Sequence, residues 1–150
     1  MFERILVYLD DSKIGNSILP LVSELAGRFN SHVVLLNVID VPGFVAGSTA
    51  LELEETKATR FQEQEESGDY LECVARSLEE KGLYVEIVTI QGPVEESILT
   101  YVQQFQIDLI ALVTHSQSTI ARFVLKDTTG LVIRKSGIPV ITLCPSKAIN

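Results

Sequence analysis

Apolar residues in this chain gather into two kinds of run, and the two kinds alternate. Continuous runs of strand length occur at Arg4–Leu9 (RILVYL), His32–Ile39 (HVVLLNVI) and Leu109–Val113 (LIALV). Runs without alternation suit strands covered on both faces, as in a parallel sheet. Tyr84–Ile90 (YVEIVTI) alternates in part and predicts an edge strand with one wetter face. Pro139–Leu143 predicts a fifth strand, after which Pro145 ends the fold.

Helical spacing fills the gaps. Ile14, Ile18, Leu21, Val22, Leu25 and Phe29 predict a helix over about Gly15–Arg28, with Ser12 as its N-cap and Gly27 or Asn30 as its stop. Pro20 lies inside that pattern. A proline costs about 3 kcal/mol in a helix interior, so a late start or a kink is expected there. A Gly-containing loop, Pro42–Thr49, carries Phe44 and Val45. A weakly periodic acidic stretch follows, which Ser67-Gly68-Asp69 is expected to interrupt. Tyr70, Leu71, Val74, Ala75 and Leu78 then form a clear stripe, ended by Gly82. Val94, Ile98, Tyr101, Val102 and Phe105 form the next, with Pro93 at its first position and Glu95 and Glu96 at its positive end. After the polar loop Thr114–Thr119 comes a mixed helical segment. Asp127 or Thr128 opens a last helix, with Leu131, Val132 and Ile133 inward and Gly137 as its stop.

Helices between successive strands force parallel pairing. The prediction is an α/β fold, a three-layer α/β/α arrangement around a five-stranded parallel sheet. Such sheets take ligands at the carboxyl ends of strands, where the strand order reverses. The segments at those ends are Asp10-Asp11-Ser12, Val38–Val41, Gln91-Gly92 and Thr114–Ser118. The first, second and fourth converge if the order is 3-2-1-4-5.

Composition narrows the classes. A length of 150 residues predicts one domain, residues 1–150, with room for a core. No apolar run approaches about 18 residues, so no membrane insertion is expected. The N-terminus has acids close behind a short apolar run and no basic leader pattern, which predicts a cytoplasmic protein. A net charge of −8 disfavours nucleic acid as a partner. Ten of the 20 acids lie between Leu51 and Lys81, and they read as a solvated helix face rather than a cation site. Cys73 and Cys144 fit no zinc spacing and are expected to be buried or half-buried thiols without a role. No metal cluster, phosphate-binding P-loop or Ser/His/Asp signature is legible, so no catalytic residue is assigned.

Five pieces, in order and at matching spacing, resemble the universal stress protein family. Arg4-Ile5-Leu6-Val7 through Asp10 and Ser12 resembles its opening strand, ILVPxDGS. Val34-Leu35-Leu36-Asn37-Val38 resembles its second strand. Gly92-Pro93-Val94-Glu95-Glu96-Ser97-Ile98 resembles its GxPAEEI turn. Asp108-Leu109-Ile110 with Thr114-His115 resembles its DLIVMGTHG strand and loop. Ile138-Pro139-Val140-Ile141 resembles its CPVLVV last strand. The resemblance implies a Rossmann-like fold of the adenine nucleotide alpha-hydrolase type. It also implies a homodimer paired through the last strand, Pro139, Val140, Ile141, Thr142 and Leu143.

In the family's nucleotide-binding branch, Gly-x-x-Gly at the end of the fourth strand and a later Gly-Ser/Thr hold the triphosphate. The aspartate ending the first strand holds adenine. Here Val113, Ser116 and Lys126 stand where those glycines would be, and Asp127 stands at the Ser/Thr. Tyr8 replaces the usual proline of the first strand. Leu112 and Thr128 flank these positions, and Asp10 and Val38 keep the adenine and ribose side. Glycine permits backbone approach that Val and Lys do not. Asp127 would cap the helix start itself and repel a phosphate by roughly 4 kcal/mol at about 4 Å and an effective dielectric near 20, partly offset by Lys126, Arg122 or a metal ion.

Each candidate has a plain structural counterpart. Asp10 is either an acceptor for an adenine amine or a strand-end carboxylate bonded to nearby amides. His115 reads as a hydrogen-bonded loop histidine rather than a base, and His32 as exposed at a strand start. Ser116, Ser118 and Thr119 read as an anion loop or simply a polar turn. Three functions follow. The first is a non-enzymatic regulatory protein with a degraded triphosphate site, acting through dimerisation and a protein partner at the acidic segment or the Phe44 loop. The second is a sensor of AMP, ATP or another adenine ligand through Asp10 and Val38. The third is a slow nucleotide hydrolase, which the missing phosphate-positioning residues argue against.

Overall fold

The computed structural model describes residues 1–10, 13–39, 50–114 and 128–144. Five strands, β1 (Arg4–Tyr8), β2 (His32–Ile39), β3 (Tyr84–Gln91), β4 (Leu109–Val113) and β5 (Val140–Leu143), form one parallel sheet. Its order is β3-β2-β1-β4-β5, the expected 3-2-1-4-5 order under which the ends of the first, second and fourth strands converge. The described helices are α1 (Leu19–Phe29), α2 (Ala50–Glu79), α3 (Val94–Gln104) and α4 (Thr128–Lys135). Among the described residues no helix is long and apolar enough to cross a membrane.

Side-chain alternation along the strands divides the core between two faces. Ile5, Val7, Leu9, Val33, Leu35, Leu109 and Ala111 pack with α1 and α2 through Val22, Ala26, Leu71, Val74 and Leu78. Leu6, Val34, Leu36, Val38, Ile110 and Leu112 pack with α3 and α4 through Ile98, Tyr101, Val102 and Val132. Both faces of β1, β2 and β4 are thus covered, which is why their sequences are apolar at consecutive positions.

Pro20 acts as a late start. A short 3-10 helix, Lys13–Ile18, precedes α1, and the proline sits in the first turn of α1, where its missing N–H costs nothing. Asn30 ends α1 in the left-handed conformation at φ 55°, its amide donating to Ala26 O, while Gly27 stays inside the helix. Pro93 caps α3 from outside, and Val94 is the first helical residue. Gly82 takes φ 84° in the turn after α2, where a side chain would be strained.

Several expectations are corrected. Ser67-Gly68-Asp69 does not interrupt the acidic segment, and α2 runs continuously over 30 residues. Ser67 is itself buried, and the packed stripe Leu71, Val74, Ala75 and Leu78 outweighs about 1 kcal/mol of glycine propensity. Both cysteines are exposed rather than buried. Cys73 lies with Glu72, Arg76 and Ser77 on the outer side of α2, and Cys144 follows the last strand residue. Ile133 is 51% exposed, because three successive helical residues spaced about 100° apart cannot all face inward. Leu21 and Phe29 are exposed too; Phe29 meets Phe2 edge-on at 5.3 Å. Phe105 is also exposed, stacked on Tyr101 at 4.3 Å. His32 is half-buried rather than free, stacked on Tyr84 and 3.7 Å from Glu86 Oε2. The Pro42–Thr49 loop, Ser12 and the mixed helical segment before Asp127 lie outside the described residues.

Candidate functional site

The chain builds β1, β2 and β3 outward in one direction and then returns to place β4 on the other side of β1. The order therefore reverses between β1 and β4, and a crevice belongs at their carboxyl ends. Asp10 is the second residue beyond β1 and is half-buried. Val113 and Thr114 end β4. These are the two walls of the crevice.

The β1 wall is closely held. Tyr8 and Leu36 form the last register pair between β1 and β2. Beyond it, Leu9 N–H donates to Leu36 O at 2.9 Å, and Asn37 Nδ2 donates to Leu9 O at 2.9 Å. The turn at Lys13–Ile18 closes over the same place. Gly15 is buried there, and a methyl group on it would lie 3.4 Å from Leu9 Cδ2 and 3.7 Å from Asp10 Oδ1. Tyr70 of α2 donates its hydroxyl to Asn16 Oδ1, tying that turn to the second helix.

The β4 wall is apolar. Val113 is half-buried and packs against the α1 and α2 side of the core. Thr114 closes the strand end against β5, its amide donating to Leu143 O at 2.9 Å and its hydroxyl to the same oxygen at 3.3 Å. Val38 is 9% exposed and Leu112 is 1% exposed, so any ligand contact they make is mainly through the backbone. Thr128 opens α4. Ser116, Lys126 and Asp127, with His115, Ser118 and Thr119, lie outside the described residues. The structure thus brings Asp10, Val38, Leu112 and Val113 to neighbouring strand ends.

Asn37 and Gly15 were not singled out by the sequence. Asn37 had a legible signal, a lone amide inside the apolar run HVVLLNVI. Gly15 had none, since its role depends on how the turn folds back onto Leu9.

At the opposite end of the sheet, Arg4 Nη2 lies 3.6 Å from Glu86 Oε2, the same oxygen that His32 approaches. Burial pushes the Tyr101 hydroxyl above its ordinary pKa, helped by Glu86 and opposed by Arg4. This cluster is at the amino ends of the strands, away from the crevice.

The universal stress protein family model matches residues 1–143. The chain belongs to the universal stress protein family. A universal stress protein of Methanocaldococcus jannaschii is 25% identical over 154 aligned positions, covering 95% of each chain. One from Synechocystis is 38% identical over 65 residues, which span 43% of this chain and only 23% of that relative. Among solved structures, that of the M. jannaschii protein MJ0577 superposes with a TM-score of 0.81 at 24% identity, covering 99% of both chains. Two others carry nucleotides. A universal stress protein in complex with cAMP superposes with a TM-score of 0.65 at 14% identity, covering 95% of this chain and 97% of that one. The Archaeoglobus fulgidus universal stress protein in complex with dAMP superposes with a TM-score of 0.59 at 18% identity, covering 95% and 98%. At these identities the structures establish a shared fold. This universal stress protein has that fold with a valine at the β4 end of its crevice.

Proposed function

We propose that this universal stress protein is a cytoplasmic, non-enzymatic regulator. It acts as a homodimer paired through β5 and through a protein partner. Its crevice takes an adenine nucleotide by the base and ribose side and lacks a tight grip on a triphosphate. One observation carries this reading: the two crevice walls differ in chemistry. The β1 wall ends in a half-buried carboxylate, Asp10, and the β4 wall ends in a branched apolar side chain, Val113, packed into the core.

A carboxylate accepts a hydrogen bond from an exocyclic amine, the donor that adenine offers. The backbone at Val38 is the neighbouring strand end that would face the ribose. A phosphate chain instead needs backbone amides at close approach, which glycine allows and valine at Val113 obstructs. The solved relatives bound to cAMP and dAMP support a ligand with a single phosphate.

Calorimetric titration with AMP and with ATP, each with and without magnesium, tests the reading. AMP binding that is weakened by about tenfold or more but still measurable in Asp10→Ala, with ATP no tighter than AMP, is the expected result. ATP binding at least about tenfold tighter than AMP and dependent on magnesium would mean that residues beyond Val113 do grip the triphosphate. No heat with either nucleotide would leave the partner-binding role alone.

A further inference from the structure

A single buried polar side chain meets β1 at the place where its register with β2 has ended. Asn37 is 1% exposed, in the middle of an otherwise apolar stretch of β2. Burying an amide among apolar side chains is unfavourable unless it is hydrogen-bonded. Its Nδ2 donates across to the carbonyl of Leu9, at the point where the β1–β2 register has ended. Its neighbour Leu36 accepts the Leu9 amide. Two consecutive residues of β2 therefore hold both main-chain polar groups of Leu9. Leu9 is the residue joined to Asp10, and Gly15 lies close to the side chains of both, an added methyl group there standing 3.4 Å from Leu9 Cδ2 and 3.7 Å from Asp10 Oδ1.

We infer that Asn37 is a positioning residue for the adenine-binding carboxylate, acting on Asp10 through the Leu9 carbonyl. This rests on the nucleotide-crevice reading above. In a plain parallel ladder the Leu9 carbonyl would take a backbone donor and β1 would continue beside β2. A side-chain donor satisfies that carbonyl from the sheet face instead. The chain is then free to turn away after Leu9 while its last peptide remains fixed. Asp10 begins from an anchored peptide, and its carboxylate is presented from a defined origin rather than from a loose loop end. Pre-organisation of this kind raises affinity by lowering the ordering cost of binding.

The test is AMP titration of five proteins: wild type, Asp10→Ala, Asn37→Leu, Asn37→His and the double variant Asp10→Ala/Asn37→Leu. Leucine fills a similar volume and cannot donate. Histidine places a donor, Nδ1–H, at the same number of bonds from Cβ as the amide. Asn37→Leu is expected to weaken AMP binding by about tenfold, the loss of one hydrogen bond's worth of affinity. Asn37→His is expected to recover to within about threefold of wild type. In the Asp10→Ala background Asn37→Leu should weaken binding no further, because a residue acting through Asp10 has nothing left to position. Melting curves of each variant establish that the fold is kept, and if Asn37→Leu does not fold, Asn37→Ser takes its place. Wild-type affinity in a folded Asn37→Leu, with binding weakened in Asp10→Ala, overturns this inference and leaves the nucleotide reading intact. Additive losses in the double variant also overturn it. Absence of AMP binding by the wild type overturns both.

Discussion

Arg4 and Asp108 are 104 residues apart in sequence and exchange two hydrogen bonds at the amino ends of β1 and β4. The Arg4 amide donates to Asp108 Oδ2 at 2.9 Å, and the Asp108 amide donates to Arg4 O at 3.0 Å. The carboxylate thus completes the start of the register in which Ile5 pairs with Leu109. The same register fixes how far apart Asp10 and Val113 stand at the other end. Asp108→Ala should lower unfolding stability by about 1–3 kcal/mol, since it leaves a partly buried amide unmet. Asp108→Asn keeps an acceptor and should lose less. Urea denaturation compares the two, and equal losses would mean that the Arg4 amide bond contributes little.

Tyr101 ties stability to alkaline pH. Its hydroxyl is held above the ordinary tyrosine value by burial, then by the Glu86 charge, with Arg4 acting the other way. A pKa raised in the folded state favours the neutral hydroxyl there. The contribution is complete below the unfolded value, about 10, and is lost as pH rises from there through the folded value. Melting temperature should fall above about pH 10, and Tyr101→Phe should flatten that fall. An unchanged slope in the variant would assign alkaline unfolding to other groups.

Two glycines inside helices carry no packing reason. A methyl group added to Gly27 in α1 or Gly68 in α2 would meet nothing within 4 Å. Neither residue has a positive φ angle. Gly68→Ala and Gly27→Ala should each stabilise the protein by about 0.5–1 kcal/mol, by helix propensity and reduced unfolded-state freedom. Gly82→Ala, at φ 84°, should destabilise it instead. Chemical denaturation of the three variants should give two gains and one loss. A loss in Gly68→Ala would indicate a close neighbour at that helix face.

The fold was legible because its strongest signals are local. Val33 to Leu36 are apolar at every position because α1 and α2 cover one face of β2 and α3 covers the other, and that double burial is written directly into composition. Pro20 announced the late start of α1 for the same local reason. Elements decided by tertiary burial were harder. Ser67-Gly68-Asp69 reads as a break, yet the packing of Leu71 and Leu78 carries the helix through it. Cys73 reads as a core residue by type, and only the phase of α2 puts it outside. In the crevice, Asp10 was legible as an acid following an apolar strand. The Asn37–Leu9 bond was not, because it joins residues 28 apart, and sequence spacing does not encode which carbonyl lies across from an amide.

The proposed dimer makes a demand on one residue of β5. Pro139 O accepts from the Ile110 amide and Leu143 O accepts from the Thr114 amide, so odd-numbered residues of this strand turn their main-chain groups toward β4. By strand alternation Val140 and Thr142 turn theirs to the open edge. Thr142 is exposed, and Val140, Ile141 and Leu143 are half-buried, so the edge is apolar and short. Thr142→Pro removes an outward N–H and leaves the β4 ladder in place, which is where proline is tolerated in a sheet. If β5 pairs with β5 of a second copy, Thr142→Pro should sediment as a monomer at micromolar concentration while melting close to the wild type. A variant that remains dimeric would move the interface away from β5. A wild type that is monomeric under the same conditions would remove the dimer from the proposed mechanism.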